Sequence, residues 1–146
     1  MGDSCSWLRS RLFGVKEMTI SSHFTREKWP RVAHLLKPVL GNYFEQAKVN
    51  VETGKEHLFS IDNYSVCLLR AEGLEVVVVG FLGVDRLSKC APVIAELARE
   101  MGAKSIRLHT KRKGECLFLR RVGLPFFVDE KRQDEYVLRM FIDGWR

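Results

Sequence analysis

With 146 residues, of which 46% are hydrophobic and 29% charged, the chain has the bulk of one globular domain. No apolar run approaches the ~20 residues that span a bilayer, and the first 17 residues lack the apolar core of a signal peptide. The four cysteines form no C-x-x-C pair, which argues for a reduced, intracellular setting, and the net charge of +6 is local: between Lys104 and Arg121 seven cations face Glu115 alone.

Residues 1–17 read as an arm or extension, with Trp7, Leu8, Leu12 and Phe13 interleaved with Arg9 and Arg11. Met18 is an alternative start, and 18–146 read as a single domain. Met18–Ser22 is β-prone and suits an edge strand, after which Thr25 is a candidate N-cap. Trp29, Val32, Ala33, Leu36 and Leu40 then recur at helical spacing, with Pro30 and Pro38 expected to tighten or break that helix. A second helix is predicted over about Tyr43–Thr53, with Phe44, Ala47 and Val51 inward and Gly54 ending it. His57–Ile61 and Tyr64–Arg70 are predicted strands joined by a tight Asp62-Asn63 turn, and Glu72-Gly73 turns the chain again.

Leu74–Phe81 is a continuous β-branched run, the pattern of a strand buried on both faces. The loop Leu82–Lys89 leads into a helix with Ile94, Leu97, Ala98 and Met101 on one stripe and Gly102 as its cap. Ser105–Thr110 alternates as a further strand, completing a βαβ unit with a right-handed crossover. Then follow a basic turn (Lys111–Gly114), a short helix (Glu115–Val122) and strands at Phe126–Val128 and Tyr136–Ile142, joined by the charged linker Asp129–Glu135. The order is β, α, α, β, β, β, α, β, α, β, β.

That order, from Met18 to Ile142, resembles the Gcn5-related N-acetyltransferase (GNAT) fold. Two stretches carry the resemblance: Glu75–Thr110, including the helix Ala-Pro-Val-Ile-Ala-Glu-Leu-Ala-Arg-Glu-Met-Gly (91–102), and Cys-Leu-Phe-Leu-Arg-Arg-Val-Gly-Leu (116–124). It implies an α/β (α+β) domain, with a mixed, mostly antiparallel twisted sheet, a central βαβ unit and helices on both faces. The family binds the pyrophosphate of acetyl-CoA on an Arg/Gln-x-x-Gly-x-Gly/Ala loop at a helix N-terminus. Two registers are possible in this chain, and both depart from the motif. Arg86-Leu-Ser-Lys-Cys-Ala91 keeps the arginine and the final small residue but places Lys89 at a glycine position. Leu82-Gly-Val-Asp-Arg-Leu87 has a glycine at neither required position. Many family members also carry a tyrosine four residues before the later helix's terminal glycine, as acid for the leaving thiolate. Leu119 stands there; Tyr64 and Tyr136 are the candidates to replace it in space.

Arg86, Ser88, Lys89 and Cys90 are the candidate cofactor-binding residues should acetyl-CoA bind, weighed against a plain solvated loop and helix cap. Glu75 is a possible base acting through a water, although a solvent-facing strand start is the favoured reading. His23, His34, His57 and His109 have no metal-ligand spacing, and His109 reads as a packed strand residue. Lys111, Arg112, Lys113, Arg120 and Arg121 suit nucleic-acid phosphates, coenzyme phosphates or an acidic protein surface. The favoured expectation is a non-catalytic accessory or structural protein without a cofactor, on an acetyltransferase-like scaffold. Small degenerate bacteriophage members, including an internal virion protein of short-tailed phages, resemble it. Its expected partners are other proteins of an assembly and non-specific nucleic acid, not membrane, and its setting is the host cytoplasm or the virion. The alternative is an acetyl-CoA-dependent N-acetyltransferase with a divergent loop.

Overall fold

The computed structural model describes residues 23–83 and 87–145, and every structural statement below concerns those residues. The arm 1–17, the expected Met18–Ser22 strand and Arg86 lie outside them. From the first helix onward the elements come in the predicted order, while the first described strand, Phe24–Arg26, was not predicted. They are β1 (Phe24–Arg26), α1 (Trp29–Leu40), a 3-10 turn (Gly41–Tyr43), α2 (Phe44–Glu52), β2 (His57–Ile61) and β3 (Ser65–Glu72). Then come β4 (Glu75–Leu82), α3 (Leu87–Glu100), β5 (Ser105–Thr110), α4 (Glu115–Arg121), β6 (Phe127–Lys131) and β7 (Tyr136–Phe141).

The strands form one sheet in the order β1-β2-β3-β4-β5-β7-β6, with β4 and β5 parallel and every other neighbouring pair antiparallel. Side-chain alternation sends neighbours along a strand to opposite faces, so Leu58, Val66 and Leu68 face one way and Phe59, Cys67 and Leu69 the other. The first set packs under Trp29, Val32, Leu36 and Leu40 of α1 and Ala47 of α2. The second joins Val76, Ile106, Leu138 and Met140 beneath Ile94, Leu97 and Ala98 of α3 and Leu119 of α4. Helices therefore cover both faces, each facing its own apolar cluster. No helix of the described residues is long and apolar enough to cross a membrane.

Local chemistry explains the boundaries. Asp62 and Asn63 both take positive φ, 53° and 64°, the mirror-image turn that matches strand twist, and Tyr64 completes the loop between Ile61 and its partner Ser65. Pro30 sits in the first turn of α1, where its missing N–H costs nothing, and the helix runs past Pro38 for two residues before Gly41 ends it. Thr25 is not a cap: it pairs with Ser60 within β1, and Lys28 precedes the helix without a side-chain cap bond. The expected linker Asp129–Glu135 is shorter, because β6 continues to Lys131 against Tyr136.

Candidate functional site

The β4–β5 pair is the centre of the molecule, and its two ends differ. At the amino end Glu75 lies opposite Ser105, and pairing runs through Val76, Val77 and Val78 to end at Val78 and Leu108. Beyond that point β4 continues to Leu82 and β5 to Thr110 without pairing to each other. On its other side β4 stays hydrogen-bonded to β3, with Leu69 opposite Val78 and Leu68 opposite Gly80, so Val79 is an extra, bulged residue. The edge of β4 toward β5 is thus open from Val79 to Leu82, a short strand edge inside a sheet. Val76 and Val77 are buried, whereas Val78, Val79, Phe81 and Leu82 are half-buried. The predicted burial on both faces holds for Val76 and Val77 and not for most of the strand.

Two glycines shape this open end by allowing close approach. A Cβ on Gly80 would lie 3.0 Å from Leu40 Cδ2, so α1 seats against the strand there. A Cβ on Gly83 would lie 2.5 Å from Ser65 Oγ, which leaves no room for a side chain between the end of β4 and the start of β3.

The candidate cofactor residues divide. Helix α3 begins at Leu87, so Ser88, Lys89 and Cys90 form its first turn rather than the loop. Ser88 and Lys89 are exposed there. Cys90 is not available to an anion: it is 1% exposed and its thiol donates to Ser65 Oγ at 3.4 Å. The position four before Gly123 is filled by Leu119, 1% exposed in the core. Both candidate replacement tyrosines lie at the carboxyl end of the central strands. Tyr64 precedes Ser65, the first residue of β3, and Tyr136 pairs with Thr110.

The basic residues form two groups. Lys111, Arg112 and Lys113 are exposed on the turn after β5, the same end of the sheet as the first turn of α3. Arg120 and Arg121, also exposed, sit at the far end of α4, about 10 Å along its axis. Between them Glu115 is half-buried; burial pushes its carboxyl up against the opposing pull of Arg112.

Two features escaped the sequence reading. The first is Glu75, which does not face solvent as expected. Its carboxylate accepts from Ser105 Oγ at 2.7 Å, Arg107 Nη1 at 3.0 Å and Arg139 Nε at 2.7 Å. Burial alone would raise its pKa, but hydrogen bonds from Arg139 and Ser105 and the charges of Arg139 and Arg107 hold it below the usual carboxylate range. Arg107 also reaches Glu72, Glu72 pairs with Arg70, and Arg70 reaches the buried Glu56. Arg139 continues the chain to Asp129. Arg107, counted above with the basic segment, is therefore neutralised within this lattice. The second is His109, the first β5 residue past the paired segment. Its ring nitrogen Nδ1 lies 2.8 Å from Glu135 Oε2. The hydrogen bond from His109, against a smaller opposing effect of burial, and the charges of His109 and Arg132 hold the Glu135 carboxyl below its ordinary value. No spacing rule links residues 109 and 135; only the β5–β7 register brings them together. No group of three or more His, Cys, Asp or Glu among the described residues is arranged to hold a metal ion.

This architecture matches solved acetyltransferases of the GNAT family. A probable GNAT-family acetyltransferase from Chromobacterium violaceum superposes with a TM-score of 0.58 at 13% identity, covering 84% of this chain and 88% of that one. Aminoglycoside 6'-acetyltransferase type Ii gives 0.58 at 9% identity over 82% of this chain and 96% of the other. PaiA N-acetyltransferase from Thermoplasma acidophilum, solved in complex with coenzyme A, gives 0.53 at 12% identity over 81% and 97%. No protein-family model and no curated protein sequence matches the chain. At these identities the likeness establishes the fold and nothing finer: this chain has a GNAT-like fold. The phage and virion attribution gains no support from these neighbours.

Proposed function

We propose that the chain is an acetyl-CoA-dependent N-acetyltransferase. The observation that carries this reading is the parting of β4 and β5 beyond Val78 and Leu108, beside the bulge at Val79. An open strand edge inside a sheet offers backbone N–H and C=O groups to an extended molecule bearing amides, and the pantetheine arm of coenzyme A is one. On this reading the backbone of Val79–Leu82 holds the arm, while Ser88 and Lys89 at the start of α3 lie toward the phosphates. Lys89 acts there as a point charge in place of a close-approach glycine. The bound thioester supplies an activated acetyl group, and the chain's part is to orient it and keep it between the two central strands.

Titration with acetyl-CoA by calorimetry and thermal unfolding tests the reading. Ligand at 100 times its Kd should stabilise the fold by about 2.7 kcal/mol. Lys89→Glu should weaken binding, and no shift at millimolar acetyl-CoA would sink the proposal.

A second reading is favoured by one observation, the burial of Leu119 where the resemblance expects a proton-donating tyrosine. On it the chain keeps the scaffold as an accessory or structural protein, phage-encoded and assembly-associated, and the exposed basic residues meet protein or nucleic acid.

A further inference from the structure

We infer that His109, oriented by Glu135, is the general base that deprotonates the acceptor amine; the inference rests on the acetyltransferase reading. Three observations converge on it. His109 is the first residue of β5 past the end of the β4–β5 pairing, so it stands at the mouth of the open segment. Alternation along β5 puts it on the same face as Arg107, the face that also carries α1 and α2 and is opposite α3 and α4. The third observation is the hydrogen bond of 2.8 Å between its Nδ1 and the Glu135 carboxylate.

An ionised carboxylate can only accept, so the bond requires the proton on Nδ1. In the neutral ring that leaves Nε2 with its lone pair, the form a base needs. Glu135 is suited to enforce the tautomer because its carboxyl is held below the ordinary range and stays ionised near neutrality. Around the ring stand two carboxylates, Glu135 and Glu130, and one cation, Arg132. Arg132 donates to Glu135 at 3.1 Å and also engages Glu130, so the carboxylate is anchored from both sides while the ring keeps its orientation. The base comes from β5, its orienting acid and the anchoring cation both from the β6–β7 turn, and all three meet at one end of the sheet.

In the step this supports, the amine nitrogen attacks the thioester carbonyl carbon. A C–N bond forms, the C–S bond breaks, and the electron pair leaves with the thiolate. Nε2 takes one proton from nitrogen, and the thiolate sulfur ends with a proton delivered by the imidazolium or by water. Atoms and charge balance with acetyl-CoA and a primary amine as the only reactants.

The test uses the full chain and separates this claim from its parent. By nuclear magnetic resonance, the His109 ring should be the Nδ1–H tautomer with a low-field Nδ1 proton that vanishes in Glu135→Gln; a neutral ring protonated on Nε2 would overturn the assignment. With acetyl-CoA and a small panel of amines (a polyamine, an aminoglycoside and a peptide with N-terminal alanine), His109→Ala should lower kcat/KM by roughly 100-fold or more. The acid limb of its pH profile should disappear, added imidazole should restore part of the rate, and the acetyl-CoA Kd should be unchanged. Transfer at near wild-type rate by His109→Ala, or binding without transfer to any of these amines, overturns the base alone. Loss of acetyl-CoA binding by the unmodified chain overturns the parent reading and the base with it.

Discussion

The paired half of β4 and β5 and their open half are built from the same two strands, yet they are stabilised in opposite ways. At the amino end Glu75 gathers Ser105, Arg107 and Arg139 into a lattice that ties β4, β5 and β7 together. At the carboxyl end hydrogen bonding stops, apolar side chains are half-exposed, and glycines let α1 and the start of β3 close in. A sheet can be opened in its middle only if something else holds the two strands in register. The polar lattice does that without adding bulk to the core.

The contrast can be broken from either end. The largest effect is expected at Glu75: Glu75→Ala leaves Arg107 and Arg139 short of a partner in a largely buried place and should cost about 2–4 kcal/mol in urea unfolding. The same group predicts a pH dependence. Because the folded state holds Glu75 and Glu72 below the ordinary value of 4.5, their contribution is complete above that value and is lost as pH falls through the folded pKa. The acid slope of stability should therefore be shallower in Glu75→Ala than in the parent chain; an unchanged slope would show that the lattice does not clamp this end. A smaller effect, about 1–3 kcal/mol, is expected from Gly80→Val, which presses branched carbons onto Leu40 and lifts α1 from the open end. A cost below 0.5 kcal/mol would mean that α1 is not seated through this glycine (~0.5 being the ordinary scatter of surface changes). The smallest stability effect belongs to Lys111, Arg112 and Lys113 replaced together by serine. These exposed residues should leave unfolding within about 0.5 kcal/mol while making acetyl-CoA affinity less sensitive to salt. An unaltered salt dependence would remove the turn from the ligand's surroundings.

Much of the frame was legible because it is local. His57–Ile61 and Ser105–Thr110 are strands with the residues their alternation marks, and the Asp62-Asn63 turn follows from its own backbone chemistry. The site was less legible because its groups meet through register. Glu75 looks like a solvent-facing strand start until β7 brings Arg139, 64 positions away, against it. His109 looks like a packed strand residue until the β7 pairing delivers Glu135. Ser88 and Lys89 read as loop residues and Cys90 as an anion-site candidate, but α3 already runs from Leu87 and its first turn buries Cys90 against Ser65.

The bulge at Val79 also sets the phase of everything after it. Val78 packs with the cluster under α3, while Val79 and Gly80 both meet the side of α1, so the one extra residue shifts the alternation by a single step. Phe81 thereby returns to the α3 side opposite Cys67. Iron the bulge out with Val79 kept in regular alternation, and the in-out frame of the strand's last segment inverts: the ring of Phe81 would arrive on the face where Leu40 now rests on a glycine. The unbroken valine run, which hides any period to the eye, is what tolerates this reset, because a valine suits either side of the sheet.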